Sequence, residues 1–311
     1  MMKRASVATF SPKHSNRYGV RSISLPTRSH PSTIKIEEKL SKLKSWEASS
    51  SSTSKLESIC CGLSGLSELY RCIEDLLKLP LTQQALGQHQ NEKWVNELLD
   101  CPVRFLDLLG KTRDTILSMK ASVEEIQSAL RRRKVGDLDM EGNLSTYWSL
   151  RRNIRKECTK SLLLLKEIDN EPFGSSTLLA LDDHLSAVVR VLREAGLITS
   201  SIFQSLVVFL SSPILKSKPN KWAFVSRLMQ KGVFGCNNQQ ENINELEKVD
   251  FALNSLIVDN NNRDADAEKI QSAVARLDAL VAAIEDIENG LECLFKRLIN
   301  TRVSFLNIFS P

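Results

Sequence analysis

Apolar residues recur at alternating spacings of three and four positions through three long segments of the chain: residues 102–134, 178–211 and 266–309. This spacing places the apolar residues on one face of an α-helix and is typical of helices that pack side by side. Each segment has one polar residue at an apolar position, and all three are threonines: Thr112, Thr199 and Thr301. Further apolar residues flank the repeat, so each apolar face is wider than a two-stranded coiled coil needs. The pattern therefore predicts a multi-helix bundle.

Shorter apolar patterns predict the remaining helices, over residues 33–47, 55–79, 82–87, 92–99 and 144–168. Pro80 is expected to end the second of these helices, and Thr82 and Asn91 are expected to begin the next two. Gly62 and Gly65 lie inside the second helix, where they either weaken it or allow another helix to approach closely. Each interpretation remains open from the sequence.

The fold class predicted is all-α, an elongated multi-helix bundle of long, heptad-patterned antiparallel helices behind a disordered basic N-terminal tail. Glycine and proline together make up only 21 of 311 residues, which argues against a turn-rich all-β fold. The connections at 135–143, 169–177 and 212–220 contain residues that suit helix reversals. We expect residues 33–311 to form one helical domain, with a Ser-rich linker at 48–54.

The N-terminal tail, residues 1–32, is rich in serine and interrupted by three prolines, which predicts disorder. Residues 1–36 contain seven basic residues and no acid, so the formal charge of +5 comes from the tail and the remainder has a net charge of −2. The same composition also fits a chloroplast transit peptide. Three serines follow arginines closely and are candidate phosphorylation sites, at which phosphate would cancel local positive charge: Ser22, Ser24 and Ser29.

A basic stretch from residue 131 to 160 is the candidate interaction patch. It is formed by two groups of cations: Arg131, Arg132, Arg133 and Lys134, then Arg151, Arg152, Arg155 and Lys156. Residues 241–311 carry a net charge of −6, so the favoured interpretation is attraction between these two regions, within or between chains. The alternative is an external anion, such as phosphate, anionic lipid or an acidic protein. A nuclear role of residues 131–134 is a third hypothesis.

No common catalytic or nucleotide-binding motif occurs, whether a GxGxxG or Walker loop, HExxH or GxSxG. The sequence Asp182-Asp183-His184 cannot converge on one metal ion, because consecutive helical positions fan out. We therefore expect a protein that is not an enzyme and needs no cofactor or metal. Nucleic acid is not an expected partner, since no row of aromatic residues accompanies the basic stretch.

Residues 195–215 form an uncharged run of 21 residues, which is long enough to cross a bilayer. They continue the apolar spacing that begins at Leu178, so a buried bundle helix is the favoured interpretation. Peripheral membrane contact remains open, through the tail, residues 216–231, or acylation of Cys60 or Cys61. The seven cysteines are odd in number and include no CxxC, which favours a reducing compartment. An intracellular, cytoplasmic location is expected, with the membrane periphery, chloroplast and nucleus as alternatives.

Several short strings together resemble BYPASS-like proteins, a plant-specific family without established catalytic residues. The strings are RSISLPTRSHP (21–31), LPLTQQAL (79–86), HQNEKW (89–94), SALRRRK (128–134), VVRVLRE (188–194) and ENGLECLF (288–295). The resemblance covers about residues 20–311 and implies a largely helical plant protein associated with root and shoot development.

The expected function is that of a non-enzymatic helical adaptor that binds other proteins during plant root and shoot development. The alternative is a peripheral membrane or trafficking factor that binds anionic lipid or a membrane-tethering complex. The identity of the protein partners and the oligomeric state are not predicted.

Overall fold

The computed structural model of the chain describes residues 30–49, 55–132, 139–170, 181–213, 244–258 and 263–310. These residues contain eight α-helices and no β-strand, which confirms the all-α prediction. The helices are α1 (Pro31–Ser49), α2 (Lys55–Leu77), α3 (Pro80–Gly87), α4 (Lys93–Arg132), α5 (Asp139–Asn170), α6 (Asp183–Leu210), α7 (Glu245–Val258) and α8 (Arg263–Phe309). At about 1.5 Å per residue, α4 and α8 extend for roughly 60 and 70 Å.

The apolar repeat predicts the core of the bundle. In α4 its residues are buried from Phe105 to Leu130, in α6 from Leu185 to Phe209, and in α8 from Ala273 to Phe305. The three interrupting threonines are also buried, and each donates its hydroxyl to the carbonyl oxygen four residues earlier: Thr112 to Leu108, Thr199 to Ala195 and Thr301 to Arg297. A threonine can occupy these apolar positions because its own helix satisfies the hydroxyl.

Five helices pack around the core in a closed ring, in the order α2, α8, α4, α5 and α6. Inside the ring, Phe105 of α4 stacks on Phe203 of α6 with ring centroids 6.2 Å apart. α1 packs on α2 and α6, and α7 packs on α8. Since α2 has 23 residues and α8 has 47, α2 covers the C-terminal half of α8, and α7 covers its N-terminal half.

Two predicted helix boundaries are corrected by the structure. The segments 92–99 and 102–134 form one continuous helix, α4, with Pro102 inside it. The missing N–H of Pro102 removes one helical hydrogen bond, but residues on both sides of it, such as Leu98 and Phe105, are buried in the same core. Helix α3 begins at Pro80, which suits a first helical position, and Thr82 is a buried residue inside it.

Glycines let α1 lie close against α2. A Cβ atom built on Gly62 would lie 2.9 Å from the Trp46 indole and 3.3 Å from Ile202, and one on Gly65 would lie 2.5 Å from Leu43. Close helix approach is therefore the interpretation that the structure supports for these two glycines. Gly110 in α4 differs from them, because a Cβ atom there would meet nothing within 4 Å.

We expect opposite effects from the same substitution at these sites. Gly110→Ala should raise the free energy of unfolding by about 0.5–1 kcal/mol, because alanine has the higher helix propensity and open space around it. Gly62→Ala should lower it by about 1–3 kcal/mol, because Trp46 must move out of packed surroundings. Urea denaturation followed by circular dichroism measures both. Equal stabilisation by the two variants would contradict the close approach of α1.

Candidate interaction surface

The two cationic groups of the predicted patch lie on different helices, at the end of α4 and along α5. Arg131 at the end of α4 forms an ion pair with Asp278 of α8, with Nη2 to Oδ1 at 2.6 Å. Gln127 donates to the same carboxylate oxygen at 2.8 Å. Lys120, earlier in α4, pairs with Glu285 at 3.0 Å. The favoured attraction between the basic stretch and the acidic C-terminal region therefore occurs within the chain at Arg131.

These contacts also fix the direction of packing. Residues later in α4 meet residues earlier in α8, and Arg302 near the end of α8 donates to the Leu99 carbonyl near the start of α4. The two longest helices are thus antiparallel, as predicted. The Arg131–Asp278 pair is largely exposed, so its contribution is within the range of about 0–1 kcal/mol that is typical of surface pairs. The buried core, and not these surface pairs, stabilises the arrangement.

Arg151 lies in the interior, so the structure removes it from the predicted surface patch. Only 1% of its side chain is exposed, and its Nη2 contacts Asp250 Oδ2 of α7 at 3.1 Å. The same guanidinium donates to the carbonyl oxygens of Leu210 at 2.9 Å and Ser212 at 3.2 Å. These carbonyls belong to the end of α6, where the helix dipole favours a cation. Arg151 therefore joins α5, α6 and α7.

Tyr147 completes this buried group by donating its hydroxyl to Asp250 Oδ1 at 2.7 Å. Asp250 thus accepts one hydrogen bond on each carboxylate oxygen. Burial, reinforced by the negative charge of Asp250, raises the pKa of Tyr147 well above its ordinary value. The tyrosine therefore stays neutral and remains a donor at physiological pH. The Nε atom of Arg151 is buried and has no hydrogen-bond partner among the described residues.

The start of α7 is fixed by a second set of polar contacts. Asn244 accepts a hydrogen bond from the Glu247 backbone N–H at 2.8 Å, and its own N–H donates to the Glu247 carboxylate at 3.2 Å. This reciprocal arrangement is a capping box. The Asn244 amide also donates to the Ser212 hydroxyl, just beyond the end of α6. The beginning of α7 is therefore held against the end of α6.

The exposed part of the patch lies on the outer side of α5. Arg152, Arg155 and Lys156 are all exposed, and they form no ion pair with any residue that the structure describes. Leu163 follows on the same side and is 57% exposed. We call Arg152, Arg155, Lys156 and Leu163 the cationic α5 face. Arg152, Lys156 and Leu163 lie away from the side of α5 that carries Tyr147 and Arg151, and Arg155 lies at the edge between the two sides.

The other patch residues lie near this face in the chain but differ in their contacts. Arg132 is exposed and donates its Nε to the Ser128 carbonyl oxygen at 3.1 Å. Arg133 and Lys134 lie outside the described residues, as do Ser22, Ser24 and Ser29 in the tail and the basic segment 216–231. The candidate surface therefore consists of the cationic α5 face, with Arg131 and Arg132 at the end of α4.

Two features that suggested membrane contact, the apolar helix α6 and the adjacent cysteines Cys60 and Cys61, lie among the described residues. Within the described ranges, α6 is the one helix long and apolar enough to cross a bilayer, and 56% of its most apolar window is buried in the bundle. Core helices of water-soluble proteins share these properties, so this is weak evidence for a span. Cys61 is exposed, whereas Cys60 is half-buried. Burial, with the negative charge of Asp286, raises the pKa of Cys60 to about 11, which disfavours its reactive thiolate.

The sequence analysis missed Tyr147 and Asp250 as partners of Arg151. A signal was present, because Asp250 is a single acid within the apolar run from Val249 to Leu253. A buried acid requires a donor or cation nearby, but the sequence does not say which one it meets. The separation of about 100 residues between these partners is a property of the fold.

The comparison with protein families assigns the chain to a family. The model described as Protein BPS1 matches residues 62–308, more than three quarters of the chain. The chain belongs to the BPS1 family. This confirms the resemblance to BYPASS-like plant proteins. Neither the curated proteins nor the solved structures yielded a match. The matched region begins inside α2 and ends inside α8, so it includes the buried Arg151 group and the cationic α5 face of this BPS1 family member.

We expect the two partners of the Arg151–Asp250 pair to be coupled, because removing either one alone leaves the other charge buried without a counter-ion. Asp250→Leu leaves a buried guanidinium without its counter-ion and should lower the free energy of unfolding by about 3–5 kcal/mol. The double variant Arg151→Met with Asp250→Leu should lose much less than the sum of the single variants. Arg152→Met, one position along the same helix but exposed, should change stability by less than about 0.5 kcal/mol. Urea denaturation of all four variants tests this, and strictly additive losses would contradict the coupling.

Proposed function

We propose that this BYPASS-like protein is a non-enzymatic helical adaptor, and that the cationic α5 face binds an acidic segment of a partner protein. The observation that carries the proposal is a set of three neighbouring exposed cations without counter-ions in the described part of the chain. Elsewhere on the bundle, Lys39, Lys44 and Arg190 each pair with a carboxylate of the same chain. The α5 face is therefore suited to a carboxylate-rich partner.

Leu163 adds an exposed apolar side chain to the cationic α5 face, so a partner that also offers apolar surface would fit this face better. This side chain lies on the outer side of α5, eleven residues after Arg152 and seven after Lys156, which brings all three onto one helical face. An amphipathic partner helix could cover Leu163 with an apolar side chain while acids on its flank meet the cations. This combination favours a protein partner over a bare phosphate, which has no apolar surface to offer.

The biological setting of the proposal comes from the family. The resemblance to BYPASS-like proteins implies a role in root and shoot development, which an adaptor would serve by joining other proteins. Arginine in particular supports such binding, because its guanidinium forms paired hydrogen bonds with a carboxylate.

Charge reversal on the α5 face tests the proposal. We expect Arg152→Glu, Arg155→Glu and Lys156→Glu together to reduce proximity labelling of specific neighbours in plant cells by about tenfold, because attraction becomes repulsion. The matched control reverses the exposed Lys42, Lys78 and Lys111, which changes the net charge by the same amount at positions outside α5. The control should keep the labelled neighbours. Equal loss in both variants, or no loss in either, would contradict a specific role of this face.

Flotation with lipid vesicles distinguishes the proposed adaptor function from that of a peripheral membrane factor. Neutral vesicles and vesicles with anionic lipid are compared at low salt, where electrostatic attraction is strongest. We expect no more flotation with anionic than with neutral lipid. Strong flotation that needs anionic lipid and is lost in the α5 charge-reversal variant would instead support lipid binding by this face.

A further inference from the structure

Helix α1 fills a groove on the outside of the bundle, between α2 and α6. The five-helix ring is closed without α1, because α2 and α6 also contact each other directly. α1 contributes one row of buried side chains at helical spacing: Thr33, Ile36, Leu40 and Leu43. A single helix of 19 residues gains most of its stability from such packing, so α1 depends on the groove for its helical form.

Glycines on α2 let a helix enter this groove at close range. A Cβ atom on Gly65 would lie 2.5 Å from the Leu43 side chain, and one on Gly62 would lie 3.3 Å from Ile202 of α6. The groove is apolar, because the buried row of α1 joins the hydrophobic core through it. An apolar groove is costly to leave open to water, so a replacement for α1 has to cover the same surface.

The α6 rim of the groove carries a cation followed by an anion. Arg190 forms an ion pair with Glu37 of α1. One turn further along α6, Glu194 pairs with Lys44 of α1, with Oε2 and Nζ 2.8 Å apart. Glu37 and Lys44 are seven residues apart and therefore lie on one flank of α1. The rim thus favours a helix with an acid two turns before a lysine over a helix with the opposite order.

The α2 rim carries a carboxylate. Glu68 accepts a hydrogen bond from the Lys39 ammonium at 3.0 Å, and it also pairs with Arg71 of its own helix at 3.3 Å. Hydrogen bonds from these two cations, Lys39 first, lower the pKa of Glu68, which keeps the rim negative at physiological pH. The α2 rim therefore favours a lysine on the other flank of the bound helix.

The three ion pairs select a helix by its charges but hold it only weakly. Each of their six side chains is at least 30% exposed, and exposed pairs add little to stability and weaken further with salt. The match to the BPS1 family model begins at residue 62, so it includes the groove residues of α2 and α6 named above and does not include α1. A different helix with the same charges is therefore able to compete with α1.

We propose that α1 is a displaceable helix, and that the groove beneath it is the docking site for an amphipathic helix of a partner protein. The partner helix carries an acid that meets Arg190 and lysines that meet Glu68 and Glu194. Its apolar residues follow the spacing of four and three that α1 shows. Exchange of one helix for the other keeps the groove covered. The site is separate from the cationic α5 face and gives the adaptor a second surface, which is used only when α1 is released.

Two labelled peptides of identical composition test the order of charges. One has the sequence of residues 31–49, and the other carries Glu37→Lys with Lys44→Glu, which exchanges the two charges that face the α6 rim. The host is the full chain with the same double substitution in its own α1, because this weakens the competing helix and leaves the groove unchanged. In fluorescence anisotropy, we expect the first peptide to bind this host at least about tenfold more tightly than the second peptide does.

A reciprocal host reverses the groove instead, with Arg190→Glu and Glu194→Arg. It should prefer the second peptide, and both hosts should keep the circular dichroism of the parent because only partly exposed side chains are changed. The matched control peptide carries Glu38→Lys with Lys42→Glu, two exposed positions of α1 outside the three ion pairs. It should bind the first host as tightly as the unmodified peptide does.

Equal affinity of the two exchanged peptides for both hosts would overturn the proposal, as would the absence of saturable binding to either host at millimolar concentration. Sedimentation of the parent chain separates a partner helix from a second copy. We expect the first peptide to leave the sedimentation of the parent chain unchanged. A dimer that this peptide converts to a monomer would make the α1 of a second copy the occupant, and this would also overturn the proposal.

Discussion

The buried contact between Arg151 and Asp250 is the constraint on which the packing of α7 against α5 and α6 depends. A guanidinium in the interior must find a counter-ion and acceptors, and it finds them on two other helices: Asp250 on α7 and the free carbonyls at the end of α6. An apolar residue at position 151 would pack without specifying the helix ends beside it. The charge favours the one placement of α7 in which the Arg151 guanidinium and the Asp250 carboxylate meet. The capping contacts of Asn244 favour the same placement.

The same sequence stretch therefore contains cations with opposite roles. Arg151 and Arg152 are adjacent, yet one is buried with three acceptors and the other is exposed on the outer side of α5. A helix separates consecutive side chains by about 100°, so neighbours in sequence need not share an environment. Only the outward group is suited to a partner. Arg151 already has its acceptors within the chain. The cations that remain exposed on this part of the chain lie on the outer face of α5.

The fold was largely predictable because burial along a helix follows the 3.6-residue period. Phe105, Leu192 and Leu291 could each be assigned to the core from spacing alone, and all three are buried. The continuity of α4 could not, because the local effect of Pro102 favours a break, while the packing that outweighs it comes from other helices. The interior position of Arg151 was missed for a related reason: its partner, Asp250, is distant in sequence, and a basic run on a helix surface is the commoner arrangement.

The mismatch in helix length explains why polar helix ends gather between α2 and α7. A continuous partner for the 47 residues of α8 would leave a uniform groove, but α2 covers one half and α7 the other. Their junction brings helix ends together, and helix ends carry serines, asparagine and acids as caps and terminal residues instead of the leucines of the core. A polar junction is therefore a consequence of ending one short helix and beginning another against a long one. The apolar repeat builds the bundle, and its interruption between α2 and α7 places polar helix ends beside the long helix.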